Sequence, residues 1–149
     1  MLKFIGVIGA RKCSSETSRL AFETGKEIAL SGYGLVCGGM SGVMQAAAEG
    51  CKSQNGLTLG IIPGTDSIEA NPFIDIVIPT GLGINRNLLI VRSSSGIIAF
   101  PGKFGTLSEI AFALQLNIPI VGFNTWDVDK SIIKVHTAKE AVNKIIKKI

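Results

Sequence analysis

The sequence predicts an α/β protein, a three-layer sandwich whose mainly parallel sheet is flanked by helices. Three observations predict it. Short apolar runs of strand length alternate with helically periodic segments from end to end, as right-handed βαβ crossovers require. Hydrophobic residues make up 46% of the 149 positions and charged ones only 17%, enough apolar surface to cover both faces of a sheet. Eighteen glycines are too many for plain helices and point to turns where backbone closely approaches something else. The length suits one domain with one core, and no linker, repeat or low-complexity segment divides residues 1–149. The architecture these features describe is Rossmann-like.

Lys3 to Gly9, rich in Ile and Val, reads as a buried first strand. From Glu16 to Leu30 the polar residues Glu16, Arg19, Glu23, Lys26 and Glu27 recur at helical spacing. Leu20, Ala21, Thr24 and Ile28 fill the opposite stripe, and Gly32 closes the helix. Gly34 to Cys37 is the second strand, and Ser41 to about Ser53 a small-residue helix carrying Ala46, Ala47 and Ala48. Leu57 to Ile62 is the third strand, ended by Pro63-Gly64. Thr65 to Pro72 has turn chemistry, and a short strand follows from Ile74 to Ile78. Ile84 to Ser93 reads as a helix, Gly96 to Phe100 as a buried strand, and Thr106 to Leu116 as a helix with almost no polar face. Ile118 to Phe123 is another strand. The last helix begins at Thr137 with Glu140 as a capping box, and Ala138, Ala141, Val142, Ile145, Ile146 and Ile149 form its apolar stripe.

Composition removes several function classes. No run of eighteen apolar residues exists, and the chain enters its first strand with no leader ahead of it, so a cytoplasmic location without membrane insertion is expected. Cys13, Cys37 and Cys51 are odd in number and lack metal spacing, which suits small buried thiols in a reducing compartment. Much of the net charge of +4 comes from Lys139, Lys144, Lys147 and Lys148 on one helix, a solvated face rather than a nucleic-acid surface. His136 is the only histidine and lies far along the chain from the glycine-rich turns, so no histidine-based triad is expected. No cluster of His, Cys and carboxylates is spaced to hold a metal.

In open parallel sheets ligands collect beyond the carboxyl ends of the strands, near the point where strand order reverses. The sharpest candidate is Pro101-Gly102-Lys103-Phe104-Gly105-Thr106, placed between a buried strand and a helix, with Glu109 three residues on. Glycines there let backbone N–H groups face outward, and the helix N-terminus adds partial positive charge; together these suit phosphate. A tight turn capped by Thr106 and Glu109 has the same spacing. A second turn, Gly38-Gly39-Met40-Ser41-Gly42-Val43-Met44, repeats the logic, although glycines also serve close helix–sheet packing. Gly9-Ala10 and the loop from Arg11 to Ser15 form a third candidate, equally readable as a plain loop. Glu109 on so apolar a helix needs a partner or a cavity, and Arg86 is its best partner, with Arg92 the other option. Such a pair suits catalysis or structure equally.

These motifs resemble the SLOG superfamily. The resemblance rests on Gly38-Gly39-Met40-Ser41-Gly42-Val43-Met44, Arg86 and Pro101-Gly102-Lys103-Phe104-Gly105-Thr106-Leu107-Ser108-Glu109, and it covers nearly the whole chain. That superfamily includes the LOG cytokinin-activating enzymes and the molybdenum cofactor carrier proteins. In the LOG signature, Pro-Gly-Gly-x-Gly-Thr-x-x-Glu, an arginine–lysine pair comes first, and the enzymes hydrolyse the N-glycosidic bond of N6-modified adenosine monophosphates. The resemblance implies a catalytic pair in Arg86 and Glu109 if the chain is an enzyme. It also implies a phosphate site built from Gly9, Gly38, Gly39, Gly42, Met44, Gly102, Lys103, Phe104, Gly105 and Thr106. Two residues depart from the hydrolase pattern: Lys103 replaces the second glycine and Asn87 replaces the lysine after Arg86. Arg86-Asn87 and the short chain look more like the carrier branch, which binds a phosphorylated pterin without needing to catalyse anything. The expected ligand is accordingly molybdopterin, molybdenum cofactor or a nucleoside monophosphate, with no cofactor required for activity. The lysine decarboxylase label attached to many superfamily members is set aside, because no lysine here has the setting of a pyridoxal phosphate site. The apolar helices Thr106–Leu116 and Ile84–Val91 exceed what one small domain hides, which predicts a homodimer or a dimer of dimers.

Overall fold

In the computed structural model, which describes residues 1–149, strands and helices alternate along the chain. The first half runs β1 (Phe4–Ile8), α1 (Ser15–Leu30), β2 (Gly34–Cys37), α2 (Val43–Ser53), β3 (Thr58–Ile62) and β4 (Ile76–Pro79). The second half runs α3 (Asn87–Arg92), β5 (Gly96–Ala99), α4 (Phe104–Gln115), β6 (Ile120–Gly122), β7 (Ile133–Lys134) and α5 (Ala138–Ile146). All neighbouring strands pair in parallel, in the order β4-β3-β2-β1-β5-β6-β7. The chain builds outward from β1 to β4, then returns through α3 to place β5 on the other side of β1, with Ile5 opposite Gly96 and Ile8 opposite Ala99. Strand order reverses there, and the ends of β1 and β5 flank a natural crevice.

Both faces of the sheet are covered over β1, β2, β3, β5 and β6, which is why these strands are apolar without alternation, whereas the edge strand β4 is mostly exposed. Ile5, Val7, Leu35, Cys37, Ile98 and Phe100 point to one side, packed under Ala21 and Ile28 of α1, Ala47 and Cys51 of α2, and Val142 and Ile145 of α5. Ile8, Val36, Ile97 and Ala99 point to the other, under Ile90 and Val91 of α3 and Ile110 and Ala113 of α4. No helix is long and apolar enough to cross a membrane.

The element boundaries differ from the sequence reading in instructive places. The strand expected from Ile74 starts at Ile76, because Asp75 is held by the side chain of Thr58: Thr58 N–H and its hydroxyl donate to the Asp75 carboxylate, and Asp75 N–H donates to Thr58 Oγ1. The helix expected from Ile84 begins as a 3-10 turn over Gly83–Arg86 and becomes α-helical only at Asn87. α4 starts at Phe104, so Thr106 lies inside the helix and the cap position falls on Lys103, which supplies no side-chain cap. At α5, Thr137 Oγ1 accepts from Glu140 N–H as expected, but the Glu140 carboxylate reaches back one residue further, to His136 N–H. β7 was not expected: two residues are too few to show a period.

Candidate functional site

At the carboxyl ends of β1 and β5 the structure opens a cavity of about 550 Å³. Its walls come from the segments after five different elements: Gly9 to Lys12 after β1, Gly38 and Met44 around the β2–α2 turn, and Pro63 after β3. Ile84, Arg86 and Asn87 come from the start of α3, and Lys103, Gly105, Thr106 and Glu109 from the start of α4. Of the sequence-derived candidates, Gly9, Gly38, Met44, Arg86, Lys103, Gly105, Thr106 and Glu109 are thus brought together. Gly39, Gly42, Gly102 and Phe104 stand outside the wall. Gly102 lies beneath Thr106, where a Cβ would come within 2.0 Å of the Thr106 hydroxyl, and Phe104 is 77% exposed.

The first turn of α4 is the cationic pole of this cavity. Its N–H groups at Phe104, Gly105 and Thr106 have no carbonyl one turn earlier in the helix, and no side chain caps them. A Cβ on Gly105 would meet nothing closer than Asn87 Nδ2 at 3.9 Å, so the missing side chain leaves room for a ligand rather than for packing. Lys103 reaches the wall from the cap position, and Arg11 and Lys12 reach it from the β1–α1 loop. None of these three cations, nor Arg86, takes part in an ion pair; the four that form lie elsewhere.

Arg86 is buried and braced by the protein itself. Its Nε donates to Ile61 O at 2.8 Å, one terminal nitrogen donates to Asn87 Oδ1, and the other to Gly38 O at 3.4 Å. Burial pulls its pKa down, opposed by the Glu109 carboxylate and reinforced by Arg11. Asn87 passes the brace on, since its Nδ2 donates to Ser108 Oγ at 3.0 Å and to Gly105 O at 3.4 Å. A lysine here has no acceptor for the arginine, so Arg86-Asn87 is a linked unit tying β3, the β2–α2 turn and α4 together.

Glu109 is buried, with 8% of its surface exposed, and its carboxyl group opens to the cavity, receiving no hydrogen bond or direct ion pair from the protein. Burial pushes its pKa up to about 8, only partly offset by Arg86. Near neutral pH it is chiefly a neutral acid at the cavity wall, able to donate a hydrogen bond as well as accept one. The expected closeness of Arg86 and Glu109 takes the form of a shared wall with no direct bridge.

The β2–α2 turn uses its glycines differently. Gly39 and Gly42 have φ of 73° and 66°. A Cβ on Gly42 would stand 2.4 Å from Ala10 O, and one on Gly39 2.6 Å from Ile62 Cγ2. Val43 N–H, the first of α2, donates to Ala10 O at 3.0 Å.

Sequence reasoning left Pro63, Ile84, Asn87, Arg11 and Lys12 out of the residue set. The last two carried a usable signal: they directly follow Gly9-Ala10 at the carboxyl end of the central strand. Pro63 and Ile84 carried none, because only the β3–α3 connection's path brings them over the cavity.

The fold has close counterparts. The molybdenum cofactor binding protein of the phototrophic bacterium Rippkaea orientalis superposes with a TM-score of 0.91 at 32% identity, covering 99% of this chain and 97% of that one. The molybdenum cofactor carrier protein of Chlamydomonas reinhardtii superposes with a TM-score of 0.88 at 31% identity, covering 99% and 98%. A probable cytokinin riboside 5′-monophosphate phosphoribohydrolase of Oryza sativa subsp. japonica is 33% identical over 93 residues, 60% of this chain and 41% of the rice protein. The model of the SLOG cluster4 family matches residues 2–148, and the chain belongs to that family.

Proposed function

We propose that the protein binds a phosphorylated pterin of the molybdenum cofactor type and holds it without turning it over. The observation that carries this reading is the uncapped first turn of α4 at the wall of a cavity that also gathers Lys103, Arg11, Lys12 and Arg86. Backbone N–H groups of Gly105 and Thr106 and the Lys103 ammonium would hold the phosphate, where the helix dipole favours negative charge. Met44, Pro63 and Ile84 offer apolar contact for a flat heterocycle, and Glu109 a neutral hydrogen-bond partner for its polar edge. The full-length similarity to the Rippkaea and Chlamydomonas proteins supports the same ligand class.

A second reading, hydrolysis of nucleoside 5′-monophosphates, is favoured by the presence of Arg86 and Glu109 on one wall and by the partial rice relative. The electrostatics speak against it. A carboxyl group pushed to about 8 is largely uncharged near neutrality and offers little stabilisation to an oxocarbenium-like centre. Incubation with AMP and N6-modified AMP separates the two: we expect saturable binding and no free base, whereas steady release of base establishes the hydrolase.

The same reading includes self-association. Ile84, Leu89 and Phe112 on the α3–α4 side are exposed by 63%, 38% and 36%, apolar surface suited to a symmetric dimer or a dimer of dimers. Light scattering at micromolar concentration tests this, and a monomer mass contradicts it.

A further inference from the structure

We propose that Thr125 and Trp126, in the β6–β7 connection, are positioning residues that hold the β5–α4 turn in its anion-accepting orientation. The inference rests on the phosphate reading of that turn. The connection folds back over the turn and grips its carbonyl groups. Thr125 Oγ1 donates to Phe100 O at 3.0 Å. Trp126 shares its single indole N–H between Gly102 O at 3.1 Å and Lys103 O at 3.2 Å. Its ring stacks on Phe104, with 6.3 Å between centroids. Pro101 O, between these, accepts from Ala10 N–H at 3.1 Å.

Every carbonyl from Phe100 to Lys103 is therefore aimed at a protein donor. In a trans peptide the N–H points opposite to the carbonyl, so the N–H groups of Gly102, Lys103 and Phe104 are turned away from those donors. Lys103 O also accepts from Leu107 N–H at 3.0 Å as the first bond of α4, and Pro101 O is held by Ala10, so the 102–103 plane is the one that depends on Trp126 alone. A glycine-flanked segment has wide conformational freedom, and rotating the peptide plane at 102–103 would present the Gly102 carbonyl oxygen to an anion. Fixing the planes beforehand removes that reorganisation from the free energy of binding. A tryptophan kept only for packing needs one partner for its N–H; this one, the only tryptophan in the chain, spends it on two consecutive carbonyls of the same turn.

The test compares AMP with adenosine, by equilibrium dialysis, on the wild type, Trp126→Phe and Thr125→Val. Phenylalanine keeps a six-membered ring against Phe104 while losing the N–H donor and the second indole ring; valine replaces the hydroxyl with a methyl of similar size. We expect Trp126→Phe to bind AMP about tenfold more weakly, the equivalent of one hydrogen bond, while adenosine affinity stays unchanged. Thr125→Val should show a smaller loss with the same selectivity, and it carries the test if Trp126→Phe does not fold. Equal losses for both ligands, or none for either in the two variants, overturn the positioning role. The two readings fail separately: the wild-type preference for AMP over adenosine reports on the phosphate site, and the change in that preference reports on the clamp.

Discussion

Two glycine-rich strand-to-helix turns, 38–43 and 101–106, share one description in sequence and do different things with their backbones. In the first, positive φ at Gly39 and Gly42 and near-contact with Ile62 and Ala10 make the glycines a packing device, and the first helical N–H is spent on Ala10 O. In the second, the carbonyls are taken up by the protein while the first-turn N–H groups are left uncapped, and Gly105 borders open space. A glycine-rich turn is thus diagnosed by where its N–H groups go and what a Cβ would meet, not by its glycine count.

The largest expected effect breaks the first turn. Gly42→Ala places a Cβ 2.4 Å from backbone atoms at a φ of 66°, and should cost about 3 kcal/mol or more in thermal or denaturant unfolding. Gly105→Ala is the mirror experiment. Its Cβ meets no clash, so stability should change by less than about 1 kcal/mol, while affinity for a phosphorylated ligand falls by tenfold or more as the methyl enters the cavity. Loss of stability at Gly105 with unchanged binding reverses the roles assigned to the two turns.

A pH-dependent effect of similar size separates the pole of the cavity from its acid. The folded Glu109 titrates at about 8, raised by burial, whereas in the unfolded chain it titrates near an ordinary carboxyl value of ~4.3. Between those values the unfolded chain has released a proton that the folded one keeps, so stability falls as pH rises through this window. The groups facing Glu109 are Arg86, which opposes the shift, and Cys37, whose buried thiol is pushed up to about 12 and stays silent there. Glu109→Gln removes the titration, and the wild type should lose on the order of 4 kcal/mol relative to it between about pH 5 and about pH 9. Parallel stability profiles would contradict the buried neutral acid. The smallest effect belongs to exposed Lys103: Lys103→Ala should weaken a phosphorylated ligand roughly threefold and flatten its salt dependence, a loss that solvent screening keeps modest.

These comparisons also mark what sequence could convey. The strands from Gly34 to Cys37 and Gly96 to Ala99 and the helix ending at Leu30 were legible because burial and amphipathicity impose a period on whole segments. The parallel sense of the sheet followed from alternation, but the order of its strands, with β5 returning to the far side of β1, did not. Contacts between segments far apart in the chain were not legible. The strand at Ile76 starts late because of the Thr58 side chain, and Trp126 reaches the turn at Gly102 from across β6. Arg86 and Glu109 were placed at one site by their elements, but the lack of a bridge between them depends on Asn87, Ile61 and Gly38 claiming the guanidinium first.

The most direct test of the account measures the affinity of the wild-type protein for a pterin bearing a side-chain phosphate monoester, and for the same pterin after the phosphate is removed. The account places most of the binding at the first turn of α4 and the cations around it, so it predicts an affinity at least about a hundredfold higher for the phosphate ester, worth ~2.7 kcal/mol, and no change in the ligand after prolonged incubation. Equal affinity for the two pterins would contradict it.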